Sequence, residues 1–148
     1  MLQIQLLREN PQEVIDRLKI KNFDATDLVA EIRQLDTDNR NLKKSLDDNL
    51  MEQNRGAKEI GQLFKEGKRE EAEGLKARMA KLKEAEKTGR AKLQELEELL
   101  QAKMVLLPNL PNAAVAPGKG AEDNEIVYTE GDATNMGPDA LPHWDLVK

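Results

Sequence analysis

The chain has 148 residues and a formal net charge of −5; 34% of its residues are charged and 3% aromatic, a composition that argues against an ordinary globular core and favours an elongated fold. It has no cysteine, which excludes disulfides and thiolate metal sites, and no apolar run as long as a membrane span, so we expect a cytoplasmic protein without membrane contact. The acidic total conceals a basic stretch, because residues 40–92 hold 15 Lys/Arg and 10 Asp/Glu, which is compatible with a polyanionic partner.

The first 27 residues predict a small helical base. Asn10 is a suitable N-cap, with Pro11 at the first helical position and Glu13 in the first turn. The apolar face that follows is formed by Val14, Ile15 and Leu18. So short a helix is unstable alone and must pack against the next element.

Two further local patterns occur in this base. Leu2, Ile4 and Leu6 alternate, which predicts a short extended segment over residues 1–7. Asp24 and Thr26 are alternative caps for the helix that follows.

Residues 27–103 carry a coiled-coil a/d pattern twice, in two series that mirror each other about a tip at residues 64–70. The first series is Leu28, Ile32, Leu35, Asn39, Leu42, Leu46, Asn49, Gln53, Gly56, Ile60 and Leu63. The second is Ala72, Leu75, Met79, Leu82, Glu86, Gly89, Leu93, Leu96 and Leu100. Facing residue numbers sum to 135, so that small Gly56 faces Met79 and Gly89 faces Leu46. The pattern predicts an all-α fold: a long antiparallel two-helix hairpin on a small helical base, with an irregular C-terminal tail.

Polar residues interrupt the middle of this seam. Asn39, Asn49, Gln53 and Glu86 occupy a or d positions, and Asn49 is expected to face Glu86. Polar a and d residues commonly control register, and we interpret them so; a flexible point in the arm is the alternative.

The helical pattern ends before residues 104–148, where proline and glycine recur. These residues favour turns and extended chain. The segment 125–129 is the one convincing strand, but a lone strand is not viable. We therefore interpret 104–148 as a linker and the start of a domain whose remainder is missing. The chain holds one histidine, His143, with no partner to orient it, and no pattern typical of a catalytic or metal site.

The two edges of the predicted hairpin differ in charge. The g edge is balanced, because Glu52 and Glu59 on one helix face Arg78 and Lys92 on the other, with Glu59 expected near Arg78. On the e edge Lys43 is expected near Arg90, and Lys76 and Lys83 are expected opposite Ala57 and Leu50, with no acidic partner in reach. The predicted nucleic-acid-binding residues are Arg40, Lys43, Lys58, Lys65, Lys68, Arg69, Lys76, Lys83, Lys87 and Arg90.

The alternative to nucleic-acid binding is that this lysine-rich face is only solvated. Contacts should be to phosphates, since Phe64 is the only aromatic near.

Several segments are more specific to one protein family than the heptads, which any coiled coil contains. They are the opening residues 1–11, the Leu-Pro-Asn-Leu-Pro-Asn run at 107–112, and Pro-His-Trp-Asp-Leu at 142–146. In this order they resemble the N-terminal part of bacterial seryl-tRNA synthetases over nearly the whole chain. The sequence of segment 121–141 differs from the sequence that is usual in that family.

The resemblance implies that residues 1–103 form a tRNA-binding domain, whose arm docks the long variable arm of serine tRNA, with selenocysteine tRNA as a second candidate partner. It implies a parent enzyme that is a homodimeric serine–tRNA ligase using ATP and Mg²⁺. The catalytic core would follow Leu146, so we expect this chain to be inactive alone and to bind neither cofactor. An excised domain is favoured over a truncated paralogue. A free-standing coiled-coil scaffold or protein-interaction module is the alternative from another class.

Overall fold

The computed structural model describes residues 2–131, 140, 141, 144 and 145, and within these ranges the regular structure is helical, without strands. α1 spans Ile4–Glu9 and α2 spans Pro11–Lys19. α3 spans Thr26–Lys65 and α4 spans Arg69–Leu106, and a single 3-10 turn follows at Ala121–Asp123. None of the helices in the described ranges has the length and apolar character needed to cross a membrane.

α3 and α4 form the predicted antiparallel hairpin. They contain 40 and 38 residues, so the arm is on the order of 60 Å long at about 1.5 Å per residue. A β carbon on Gly56 would come within 2.8 Å of Met79 Cε, and one on Gly89 within 2.8 Å of Leu46 Cδ2. These contacts confirm the predicted register, in which a small residue faces a large one.

The tip reverses the chain through a Schellman motif. Gly67 has φ of +77°, a left-handed conformation that glycine adopts without strain. The Lys68 N–H donates to the Leu63 carbonyl at 3.0 Å and the Gly67 N–H to the Phe64 carbonyl at 3.2 Å. The last carbonyls of α3 are therefore satisfied, and α4 starts at once.

An apolar core joins the base to the root of the hairpin. Leu7 of α1, Val14 and Leu18 of α2, and Val29 and Ile32 of α3 are almost completely buried there. The extended segment predicted over residues 1–7 is wrong for residues 4–7, which belong to α1. A helix satisfies its own backbone hydrogen bonds, whereas a strand without a partner does not.

The predicted start of α2 is confirmed in position. Asn10 is the N-cap of α2 with Pro11 at its first position, although the Asn10 side chain makes no capping hydrogen bond. Ahead of α3, Asp24 Oδ1 accepts hydrogen bonds from the Thr26 N–H at 3.0 Å and from Thr26 Oγ1 at 2.6 Å. The Thr26 side chain, then its backbone N–H, lowers the pKa of Asp24. The N-cap of α3 is Ala25, so the prediction of Asp24 or Thr26 as its cap is wrong, although Asp24 bonds the first residue of the helix.

The chain after α4 runs back along the base. Arg17 Nη2 donates to the Pro111 carbonyl at 2.5 Å, Lys21 Nζ to the Asn109 carbonyl at 2.9 Å, and Asn22 Nδ2 to the Gly118 carbonyl at 2.8 Å. The strand predicted at 125–129 is wrong, because that segment has no partner strand among the described residues and its Val127 is 89% exposed. His143 lies outside the described residues.

Candidate nucleic-acid interface

The e edge of the hairpin differs from its predicted pairing. Lys43 Nζ contacts Glu97 Oε1 at 2.6 Å, and Lys76 Nζ lies 4.6 Å from the centroid of the Phe64 ring. In each case the observed partner lies one heptad, seven residues, beyond the predicted one. Lys43 contacts Glu97 instead of Arg90, and Lys76 contacts Phe64 instead of Ala57. The seam places Lys43 between Arg90 and Glu97, and its flexible stem turns to the residue of opposite charge. Lys43 therefore has an acidic partner across the hairpin, which the prediction did not give it.

Acidic partners are also closer than predicted for other candidate residues. Arg90 pairs with Glu86 at 2.7 Å, Lys76 with Glu73 at 2.8 Å, and Lys68 with Glu66 at 2.9 Å. The hydrogen bond with Glu66 raises the pKa of Lys68, and Lys68, followed by Gln62, lowers the pKa of Glu66. For Arg90 and Lys76, the prediction that no acidic partner is in reach is wrong. Because ion pairs between exposed side chains contribute little to stability, a phosphate can displace these carboxylates at low cost.

The remaining candidate residues form no ion pair with any residue that the structure describes. They are Arg40, Lys58, Lys65, Arg69, Lys83 and Lys87. Three of them, Arg40, Lys83 and Lys87, lie along the middle and root of the arm, and the other three surround its tip. The arm therefore offers uncompensated positive charge over most of its length.

The g edge is closer to neutral. Arg78 of α4 forms an ion pair with Glu52 of α3, and Glu59 lines the same groove. The expected partner of Arg78 was Glu59, one heptad nearer the tip. The predicted balance of charge on this edge stands, since an acidic residue of α3 still meets Arg78 across the hairpin.

The polar layer in the seam is a closed hydrogen-bond network. Gln53 Nε2 donates to Asn49 Oδ1 and to Glu86 Oε2, both at 2.8 Å, and Asn49 Nδ2 donates to the Leu82 carbonyl at 3.0 Å. The hydrogen bond from Gln53, and then that from Arg90, lowers the pKa of Glu86. The bonds from Asn49 and Gln53 to α4 cross between the helices, which supports register control as their role.

One pair at the root of the arm escaped prediction. Arg8 of α1 donates Nε to Asp36 Oδ2 at 2.7 Å and Nη2 to Asp36 Oδ1 at 2.6 Å, a bidentate pair in which the Asp36 side chain is 6% exposed. This bonding raises the pKa of Arg8. A cavity of about 540 Å³ adjoins the pair, and the candidate residues Arg40 and Lys43 line it. No local pattern links residues so far apart in sequence, so only the packing of α1 on α3 reveals them.

Among the described residues, no group of three or more His, Asp or Glu side chains is placed to hold a metal ion. The structure thus offers a charged, elongated surface and no site suited to metal-assisted chemistry in the described ranges.

Comparison with known proteins identifies relatives for almost the whole chain. Residues 1–111 match the family described as Seryl-tRNA synthetase N-terminal domain. The serine–tRNA ligase of Salinibacter ruber is 33% identical over 146 residues, covering 99% of this chain and 34% of the relative. That of Haloarcula marismortui is 38% identical over 148 residues, covering 99% of this chain and 32% of the relative.

A solved structure gives the same result for the fold. The crystal structure of seryl-tRNA synthetase from Pyrococcus horikoshii complexed with ATP superposes with a TM-score of 0.77 at 31% identity, covering 84% of this chain and 28% of that chain. This chain therefore spans about a third of the length of the curated relatives that it matches.

Proposed function

Because the chain belongs to the seryl-tRNA synthetase N-terminal domain family, we propose that its hairpin is the tRNA-binding arm of a serine–tRNA ligase. The arm docks the long variable arm of serine tRNA, so that the parent enzyme can charge that tRNA with serine. Residues 1–103 form the binding domain, and 104–148 link it to a catalytic core. The parent acts as a homodimer.

One observation carries this proposal beyond family membership. Arg40, Lys83 and Lys87 project from the arm without a carboxylate partner among the described residues, while the arm is on the order of 60 Å long. A long double-stranded RNA element presents phosphates over a comparable length, and the free cations would release its counterions. Recognition is by shape and backbone, as expected for RNA helices whose grooves hide the base edges.

ATP and Mg²⁺ belong to the reaction of the parent enzyme. The resemblance assigns their binding to the catalytic core of the parent, and no group of three acidic or histidine side chains lies together among the described residues. No step of serine activation is therefore assigned to this chain, and its contribution is to hold the tRNA.

A scaffold that binds other proteins remains the second candidate function. A coiled coil can serve as a rigid spacer between partners, and the exposed apolar side chains of Leu99 and Leu106 on α4 would suit protein contact. A protein scaffold does not require unpaired cations on one edge. A measurement of RNA binding therefore distinguishes the two candidate functions.

The test is a fluorescence titration of this chain with serine tRNA. The matched competitor is a tRNA with a short variable arm. We expect serine tRNA to bind more tightly, and binding to weaken steeply between about 50 and 200 mM salt. Equal affinity for the two tRNAs, or none for either, would contradict the proposal. In a full-length parent, deletion of residues 28–103 should leave serine-dependent pyrophosphate exchange largely intact and abolish efficient charging.

A further inference from the structure

A groove of about 410 Å³ lies on the e edge, between the polar layer and the tip. Its floor includes Leu50, Ala57 and Ala80, and Leu50 is 43% exposed. The groove exists because Ala57 and Ala80 are too small to cover the flank of the seam. Nearer the root, by contrast, the long side chains of Lys43 and Glu97 meet across the edge.

The rim of this groove is basic. Lys76 and Lys83 both line it, and no Asp or Glu is among the residues lining it. Lys83 forms no ion pair with a described residue, whereas Lys76 Nζ pairs at 2.8 Å with Glu73, which lies outside the groove lining, and is 4.6 Å from the centroid of the Phe64 ring. The ammonium of Lys76 is thereby kept at the end of the groove nearer the tip.

A second groove, of about 520 Å³, lies on the opposite edge and differs in charge. Glu52 and Glu59 line it, and Arg78 beside them is already paired with Glu52. Its lining thus mixes two carboxylates with two cations, Arg55 and Arg78. The e-edge groove differs in having a more apolar lining that contains cations and no carboxylate.

We propose that the e-edge groove receives the face of one unstacked nucleobase of the bound RNA, while Lys76 and Lys83 bind its flanking phosphates. This inference rests on the RNA-binding function proposed above. The occupant is chosen by complementarity: a nucleotide joins an apolar planar surface to anionic groups, and the groove joins an apolar floor to two ammonium groups. Its volume lies in the range typical of small-ligand sites.

The contact should tolerate different bases. Gln53 lines the groove, but its amide N–H groups are already donated to Asn49 and Glu86. An aliphatic floor contacts the face of a base, which every base possesses, and reads none of its edges. The floor therefore adds affinity and fixes the position of the tRNA along the arm without selecting a base, while the exposed amide of Asn54 in the same lining is the group able to meet a base edge.

The test fills the groove and compares the result with a matched control. Ala80→Leu places a larger side chain on the floor, whereas Ala77→Leu adds the same atoms at an exposed position outside the groove lining. We expect Ala80→Leu to weaken serine-tRNA binding about fivefold to tenfold, near the lower limit for loss of a stacked base. The salt dependence should stay unchanged, because an apolar contact releases no counterions. Ala57→Leu, from the other helix, should act in the same way.

A second measurement locates the base directly. A serine-tRNA transcript containing 4-thiouridine is irradiated in complex with the chain, and the crosslinked peptides are mapped. Crosslinks within residues 50–57 or 76–83 that disappear in Ala80→Leu support the groove. Equal affinities of Ala80→Leu and Ala77→Leu, with crosslinks elsewhere, overturn it and leave the groove to another occupant such as an acidic peptide. If the unmodified chain binds no tRNA, the proposed function itself fails instead.

Discussion

Gly56 of α3 packs directly against the side chain of Met79 on α4, so closely that a β carbon at position 56 would lie 2.8 Å from Met79 Cε. Met79 is 8% exposed and fills the space that the glycine leaves. The approach of the two backbones at this layer therefore depends on the missing side chain.

Gly56→Leu should destabilise the hairpin. The added side chain must displace Met79 from a packed seam, and overpacking of this kind costs about 1–3 kcal/mol. The measurement is the free energy of unfolding from urea titration. Gly61→Leu is the control, because a β carbon at Gly61 meets nothing within 4 Å. Equal stability of the two variants would contradict the close contact.

The Arg8–Asp36 pair should couple the base to the arm. Arg8→Met leaves the 6%-exposed Asp36 side chain without its partner, and stranding such a group costs about 1–3 kcal/mol of unfolding free energy. Replacing both residues, with Asp36→Leu, should recover part of that loss. A double-mutant cycle in urea measures the coupling, and additive effects of the two changes would show that the pair contributes nothing of its own.

The polar layer predicts a dependence of stability on pH. Hydrogen bonds from Gln53 and Arg90 lower the pKa of Glu86 in the folded chain. Its contribution is therefore complete above the ordinary glutamate pKa and is lost as pH falls through the lowered value. The stability difference between the unmodified chain and Glu86→Gln should shrink from about pH 7 to about pH 3. Glu84→Gln, at an exposed position on α4, corrects for general acid effects; a difference that grows in acid would refute the assignment.

The e edge should dominate the electrostatics of tRNA binding. Arg40→Ala with Lys87→Ala removes two unpaired cations, so the dependence of log affinity on log salt should fall by about one per lost phosphate contact. Arg78→Ala with Lys92→Ala on the g edge should do less, because Glu52 already neutralises Arg78. Salt titrations of serine-tRNA binding compare the two variants. If the salt dependence changes equally in the two double mutants, the RNA does not bind along the e edge alone, and the prediction is contradicted.

The hairpin and its register were predictable from sequence because a heptad seam is a one-dimensional property. Each a/d residue meets a partner at a constant sum of residue numbers, and small residues such as Gly56 and Gly89 confirm the alignment by facing Met79 and Leu46. The tip was predictable for a similar reason, since Gly67 is the residue type that the left-handed end of a helix favours.

The tertiary structure decided the features that depend on distant or competing partners. Residues 4–7 became helical because Leu7 is buried against α2 and α3, and an isolated strand has nowhere to place its hydrogen bonds. Arg8 and Asp36 meet only because α1 packs on the root of the arm. Along the e edge, Lys43 had two neighbours in reach, and its ion pair with Glu97 was settled by geometry and charge together. A periodic pattern identifies which residues share a face of the hairpin. A flexible charged side chain on that face can reach several partners, so the tertiary structure determines which of them it contacts.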